Sequence, residues 1–157
     1  MKSEQYFLKY GFSCAEVLLT QEHISEEKYK EIRQNAIKGI VMNRQELMDT
    51  FQNAFRRIKE VANKMGKDVW DLEVMKKYFL EEHNKYIDAG DGSYSKFPKT
   101  FCELCKVKKG IVIDKNDFSY KVNIDGKEMN VLSELLPDAQ IGDKVTIHHA
   151  FAVEKLE

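Results

Sequence analysis

The sequence predicts an α+β chain, a helical bundle followed by a small five-stranded β-barrel. Three observations carry this. Up to about residue 90 the apolar residues recur at helical spacing. After Lys99 the period changes to two, over several short runs. Between them lies a stretch rich in Gly, Ser and Asp, from Asp88 to Pro98, that fits neither pattern. We place a helical domain at residues 1–90, a linker at 91–98 and a barrel domain at 99–157.

In the first part, Tyr6, Tyr10, Cys14 and Leu18 recur every four residues with Phe7 and Val17 beside them, one face of a helix from Ser3 to Thr20. Ser25-Glu26-Glu27 offers an N-cap and an acidic first turn for a second helix, ending near Gly39. Asn43, with Glu46 three residues later, reads as a capping box. From there Leu47, Phe51, Ala54, Phe55, Ile58, Val61, Ala62 and Met65 predict one continuous helix up to Gly66. Asp68 is expected to cap a fourth helix carrying Val69, Leu72, Met75, Phe79 and Tyr86. None of these helices is stable alone, so an antiparallel bundle that buries their stripes is the economical arrangement.

The second part reads as strands. Leu104 to Ile113 is the first, with Gly110 as an expected bend or bulge. Phe118, Tyr120, Val122 and Ile124 alternate along the second, and Asp125-Gly126 is a strong hairpin signal leading to Lys127–Val131. Leu132 to Leu136 is expected to form a helical turn before Pro137-Asp138. Lys144–Ile147 and Phe151–Leu156 complete the set. Five strands in so few residues imply an OB-like barrel, whose closure removes exposed sheet edges. Its expected inward residues are Val107, Ile111, Ile113, Val122, Ile124, Val131, Val145, Ile147 and Val153.

Charge and composition narrow the function. Lys plus Arg is 25 against 26 Asp plus Glu, and from Pro98 onward nine Lys face ten acidic residues. Neither the chain nor its second part has the basic excess of an electrostatic nucleic-acid binder. No apolar run reaches bilayer-spanning length, and the polar start Met1-Lys-Ser-Glu-Gln5 does not read as a signal peptide. Three cysteines, an odd number, do not suggest a disulfide scaffold, so a cytoplasmic protein with reduced thiols is expected.

The chemistry-bearing residues cluster late. Cys102-Glu-Leu-Cys105 is a C-x-x-C, whose spacing suits chelation of one metal or a dithiol pair. Packing cysteines are the plainer alternative. Adjacent strand positions let only one of His148 and His149 face a given side. His83, near the end of the last helix, is a further candidate. Cys102, Cys105, His148 and His83 together would make a four-ligand tetrahedral site, with iron or zinc as the metals considered. Cys14 reads as core packing, His23 as a loop residue and Trp70 as a packing anchor. Lys106, Lys108 and Lys109 read as solvated edge protection, with phosphate contact as the sharper alternative. No Gly-rich phosphate loop and no Ser-His-Asp arrangement stands out.

From Val131 to Leu156 the chain reads Leu-Ser-Glu-Leu-Leu-Pro-Asp-Ala, Ile-Gly-Asp-Lys-Val-Thr-Ile-His148, then Phe-Ala-Val-Glu-Lys-Leu156. This resembles the C-terminal half of HypC/HupF-type hydrogenase maturation chaperones, over about 25 residues and by extension from Cys105 to Glu157. Residues 1–97 have no counterpart there. Cys105 and Gly110 fall where the family has its N-terminal Cys and its Gly, while Lys106, Lys108 and Lys109 replace its apolar residues and Pro. The resemblance implies that Cys105 holds an iron centre and meets a HypD-like scaffold, with His148 assisting.

The expected function is therefore that of a non-enzymatic accessory protein in metalloenzyme maturation, [NiFe] hydrogenase in the family it resembles. It would contact a HypD-like scaffold or a hydrogenase large-subunit precursor and present an exposed Cys105. Two other readings stand beside it. One is an OB-like barrel binding single-stranded nucleic acid through Tyr94, Phe97, Phe118, Tyr120 and the Lys cluster. The other is a zinc-stabilised interaction module.

Overall fold

The computed structural model describes Met1–Glu157 and divides the chain into two compact units, Met1–Pro98 and Lys99–Glu157. Six N-terminal helices precede a closed five-stranded barrel.

In the first unit, α1 spans Ser3–Thr20 and α2 spans Glu26–Lys38. The Ser25 hydroxyl accepts from Lys28 N at 3.1 Å, and Gly39 ends α2 in the left-handed region. Asn43 Oδ1 accepts from Glu46 N at 3.1 Å, as the capping signal predicted. The helix it starts is not continuous. α3, Arg44–Thr50, and α4, Gln52–Met65, meet at Phe51, whose φ of −107° and ψ of 54° leave the helical region. The backbone bonds on either side survive, Phe51 N to Leu47 O and Phe55 N to Phe51 O. The break coincides with Phe51 packing edge-on against Phe7, ring centroids 5.2 Å apart.

The fourth helix starts later than expected. Asp71, rather than Asp68, caps α5, Leu72–Lys77, while Asp68 Oδ1 takes the Trp70 N–H. A π-helical turn, Tyr78–Glu82, follows, and then α6, His83–Asp88. Its Phe79 stacks on Tyr10 at 4.7 Å, and Phe7 lies 4.6 Å from Phe55, so an aromatic cluster forms the core of this unit. A 3-10 turn, Gly92–Lys96, is anchored beside the bundle by Asp91, whose Oδ2 accepts from Arg56 Nη2 at 2.5 Å and Arg57 Nε at 2.6 Å.

In the second unit, α7, Lys99–Cys105, precedes β1, Lys108–Lys115. The sequence reading took Leu104–Val107 as strand. The C-x-x-C instead forms the last turn of a helix. β2 is Ser119–Ile124, β3 Lys127–Leu132, β4 Lys144–His148 and β5 Phe151–Leu156. The order around the barrel is β1-β2-β3-β5-β4, with β4 closing on β1 and one parallel contact, Leu132 opposite Phe151. Asp125 and Gly126 take φ of 50° and 86°, the paired positive values of the expected hairpin turn. Residues 132–136 form no helix; they turn, with Leu136 N donating to Ser133 O.

The interior holds Val112, Tyr120, Val122, Val131, Leu136, Ala139, Val145, Ile147 and Ala152. Ile111 and Ile113, expected inside, lie outside at 41 % and 37 % exposure. Register explains this. Val112 pairs with Val122 and Gly110 with Val145, so the even-numbered residues of β1 face inward. The bulge lies between Val112 and Asp114, not at Gly110. Val153, expected inside, takes the face opposite Ala152 and is fully buried on the outer side of the β4–β5 hairpin, as are Thr146 and His148.

Candidate functional site at the β4–β5 hairpin

The end of α7 sits on this hairpin, and the unmet carbonyls of a short helix account for the contacts. The last carbonyls of any helix lack intrahelical partners and carry partial negative charge. Here Glu103 O accepts from Lys108 Nζ at 2.8 Å and from Lys106 N at 3.3 Å. Cys105 O lies 3.0 Å from His148 Nε2. A carbonyl can only accept, so Nε2 of His148 carries a proton and donates it to the helix terminus. Lys106 also pairs with Glu103 at 2.8 Å, and burial pulls Lys108 below the ordinary lysine range.

His149 departs from the strand pattern. It is the first residue of the two-residue turn between β4 and β5, with φ of 52°. A left-handed β-carbon-bearing residue costs about 1–2 kcal/mol and persists only where its surroundings hold it. The turn brings the His149 ring to 4.8 Å from that of His148, at 65° between planes. The expectation that only one of the two could face a given side fails because His149 has left the extended backbone. Phe101 of α7 lies edge-on to His149 at 6.4 Å. His148 and His149 are 0 % and 6 % exposed, and one ring nitrogen of each lies within 4.8 Å of one of the other. They are ligand-type side chains that could hold a metal ion.

The other candidates fall as follows. Cys105 is buried at 2 % exposure, which corrects the expectation of an exposed thiol. The helix ends at Cys105 and seats it on the barrel, and its carbonyl meets His148. Cys102 lies three residues earlier on the same helix, half-buried and reduced. His83, in the helical unit, is buried, with Nδ1 3.2 Å from Asn84 Oδ1 and its ring against Tyr78 at 5.7 Å. The thiol of Cys14 is enclosed although part of the residue reaches the surface; burial pushes it up to about 11.

Of the aromatics considered for base stacking, Tyr120 is in the barrel core with its hydroxyl donating to Leu136 O at 2.5 Å. Tyr94 lies against the Arg57 guanidinium at 5.1 Å. Phe118 is 77 % exposed, its backbone N held by Asn116 Oδ1 at 2.9 Å and its carbonyl by Ser133 N at 3.0 Å.

Sequence reasoning singled out Cys105 and His148 and read Lys108 as solvated edge protection, where it instead meets Glu103 O; it missed Phe101 and the approach of His149. The signal for His149 was the spacing itself: only His149-Ala150 separates two strand runs, and a two-residue hairpin demands a positive φ. No helix of the chain is long and apolar enough to cross a membrane. No protein-family model matches the chain, and no curated protein matches it.

Proposed function

We propose that the chain is a non-enzymatic accessory protein of metalloenzyme maturation, [NiFe] hydrogenase being the system its barrel sequence resembles. The single observation that carries this is His148 Nε2 at 3.0 Å from Cys105 O. The two residues to which the resemblance assigns the chemistry are thereby neighbours at one end of a five-stranded barrel. The barrel holds the pair rigid, and iron or zinc suits imidazole donors of the kind found there. The partner is a HypD-like scaffold or the large-subunit precursor.

Two features favour this reading over single-stranded nucleic acid. The barrel part carries no basic excess. Of the stacking aromatics, Tyr120 is enclosed in the core. The test is affinity purification of the tagged full chain from the organism that makes it, with identification of what co-purifies. Recovery of a large-subunit precursor or HypD-like scaffold supports the reading. Salt-sensitive recovery of nucleic acid in its place overturns it.

A further inference from the structure

We propose that Cys102 and Cys105 are a reversible thiol–disulfide exchange site, oxidised by low-molecular-weight disulfides such as glutathione disulfide. The inference goes beyond the maturation reading and holds whichever partner the chain meets. It gives the C-x-x-C a chemistry of its own, whereas the contact with His148 uses only the Cys105 carbonyl.

Three observations carry it. First, the helix sets the spacing. Both cysteines lie in the last turn of α7, three residues apart. Helical rise and radius put their α-carbons about 5 Å apart, inside the disulfide window of about 4.4–6.8 Å. Their β-carbons, about 5–6 Å apart on a regular helix, must approach by about 1 Å. The last turn is already tightening that way, since Lys106 N donates to Glu103 O at 3.3 Å, a bond of the 3-10 kind. The strain that remains makes the bridge easier to reduce, which suits a reversible site. Second, the exposures set the order of attack. Cys102 is half-buried and within reach of a small oxidant, whereas Cys105 is 2 % exposed and is reached only from within the chain. Third, Lys106 and Lys108 place two ammonium groups at this turn, and the Lys108 charge is close enough to interact with the Cys105 thiol. Cations favour the reactive thiolate. Helix-end carbonyls oppose it, but Glu103 O and Cys105 O are each taken by a donor. Cys14 does not compete, because its thiol is enclosed and raised to about 11.

The exchange runs in two steps. The Cys102 thiolate attacks one sulfur of glutathione disulfide, whose S–S bond breaks and releases one glutathione. The Cys105 thiolate then attacks Cys102 Sγ, the mixed S–S bond breaks, and the second glutathione leaves. The chain loses two electrons, which the oxidant gains, and the two thiol protons pass to the two departing thiolates.

The test incubates the reduced full chain with excess glutathione disulfide, quenches with acid and reads intact mass and peptide maps. The expected product is two hydrogens lighter than the parent, bridged between Cys102 and Cys105, and returned to the thiol form by dithiothreitol. Cys105→Ser should stop at the first step and keep one glutathione on Cys102. Cys102→Ser, at a half-buried position that tolerates the change, should react at Cys105 at least about tenfold more slowly than the parent does at Cys102, since Cys105 is enclosed. The parent product decides the matter whether or not Cys105→Ser folds. A parent that ends with glutathione held on Cys102, a bridge that includes Cys14, retention of both thiols, or equally fast reaction in Cys102→Ser would overturn the site.

Discussion

Replacing Gly110 by alanine tests the closure of the barrel on which the site depends. A β-carbon at this position would stand 2.5 Å from Val122 Cγ1, 2.7 Å from Asn123 O and 2.9 Å from Ile124 Cγ1. Ordinary carbon contacts are about 3.5–4.0 Å, so the methyl arrives roughly 1 Å too close on three sides. Val122 is fully buried, and Asn123 O belongs to the backbone of the neighbouring strand. Neither can move without shifting β2 from β1. Overpacking of this kind costs about 1–3 kcal/mol. The lower entropy of unfolded alanine returns at most about 1 kcal/mol. The net expectation is destabilisation by about 1–2 kcal/mol, and for a unit of this size each kcal/mol lowers Tm by about 4–8 °C. The assay is thermal unfolding followed by the methyl and amide NMR signals of Val112 and Val122. Trp70 lies in the helical unit, so its fluorescence does not report on the barrel. An alanine variant whose barrel melts at or above the parental temperature would refute the reasoning.

Three further outcomes are expected. In Asp91 burial works against the charge, but hydrogen bonds from Arg56 and Arg57 win and hold the carboxyl below its ordinary range. Its contribution to stability is therefore full above the unfolded value near 3.9 and is lost as pH falls through the lower folded value. Asp91→Asn should cost about 1.5–3 kcal/mol at neutral pH and flatten the acid limb of a urea-midpoint-versus-pH curve; an unchanged limb would contradict the pairing. Tyr120→Phe leaves the Leu136 carbonyl without its hydroxyl donor and should cost about 1–2 kcal/mol in chemical denaturation. With its thiol at about 11, Cys14 should be alkylated far more slowly at pH 8 than in urea-unfolded chain, as peptide mass spectrometry would show.

Much of the fold was legible because local signals and burial agree. α1 runs from Ser3 to Thr20 as its four-residue recurrence predicted, and Ser25, Asn43, Gly39 and Gly66 sit at helix ends. Asp125-Gly126 makes its hairpin. Where the reading failed, a long-range contact or a parity was decisive. Phe51 breaks a helical stripe while packing on Phe7, which periodicity along one helix does not encode. In β1, both Ile111-Val112-Ile113 faces are apolar, so alternation could not choose the inward one. The choice is made by Gly110, the one residue small enough to face the closing of β2 onto β1.

The site was legible by residue type more than by geometry. Cys105 and His148 stood out in the sequence and are neighbours. Their contact is a helix-end carbonyl meeting a ring N–H, which follows from α7 reaching Cys105, and strand-like alternation around Val107 concealed that helix. His149 was placed in the strand with His148. Its positive φ, forced by a two-residue turn, is what brings the second imidazole beside the first.

The most direct measurement on the central proposal is affinity purification of the full chain beside its His148→Gln variant from native cells, comparing what each retains by quantitative mass spectrometry. The account predicts a hydrogenase large-subunit precursor or a HypD-like scaffold with the parent chain, reduced at least tenfold with the variant at equal recovery of folded bait. Equal recovery of such a partner by both chains, or its absence from both, would contradict it.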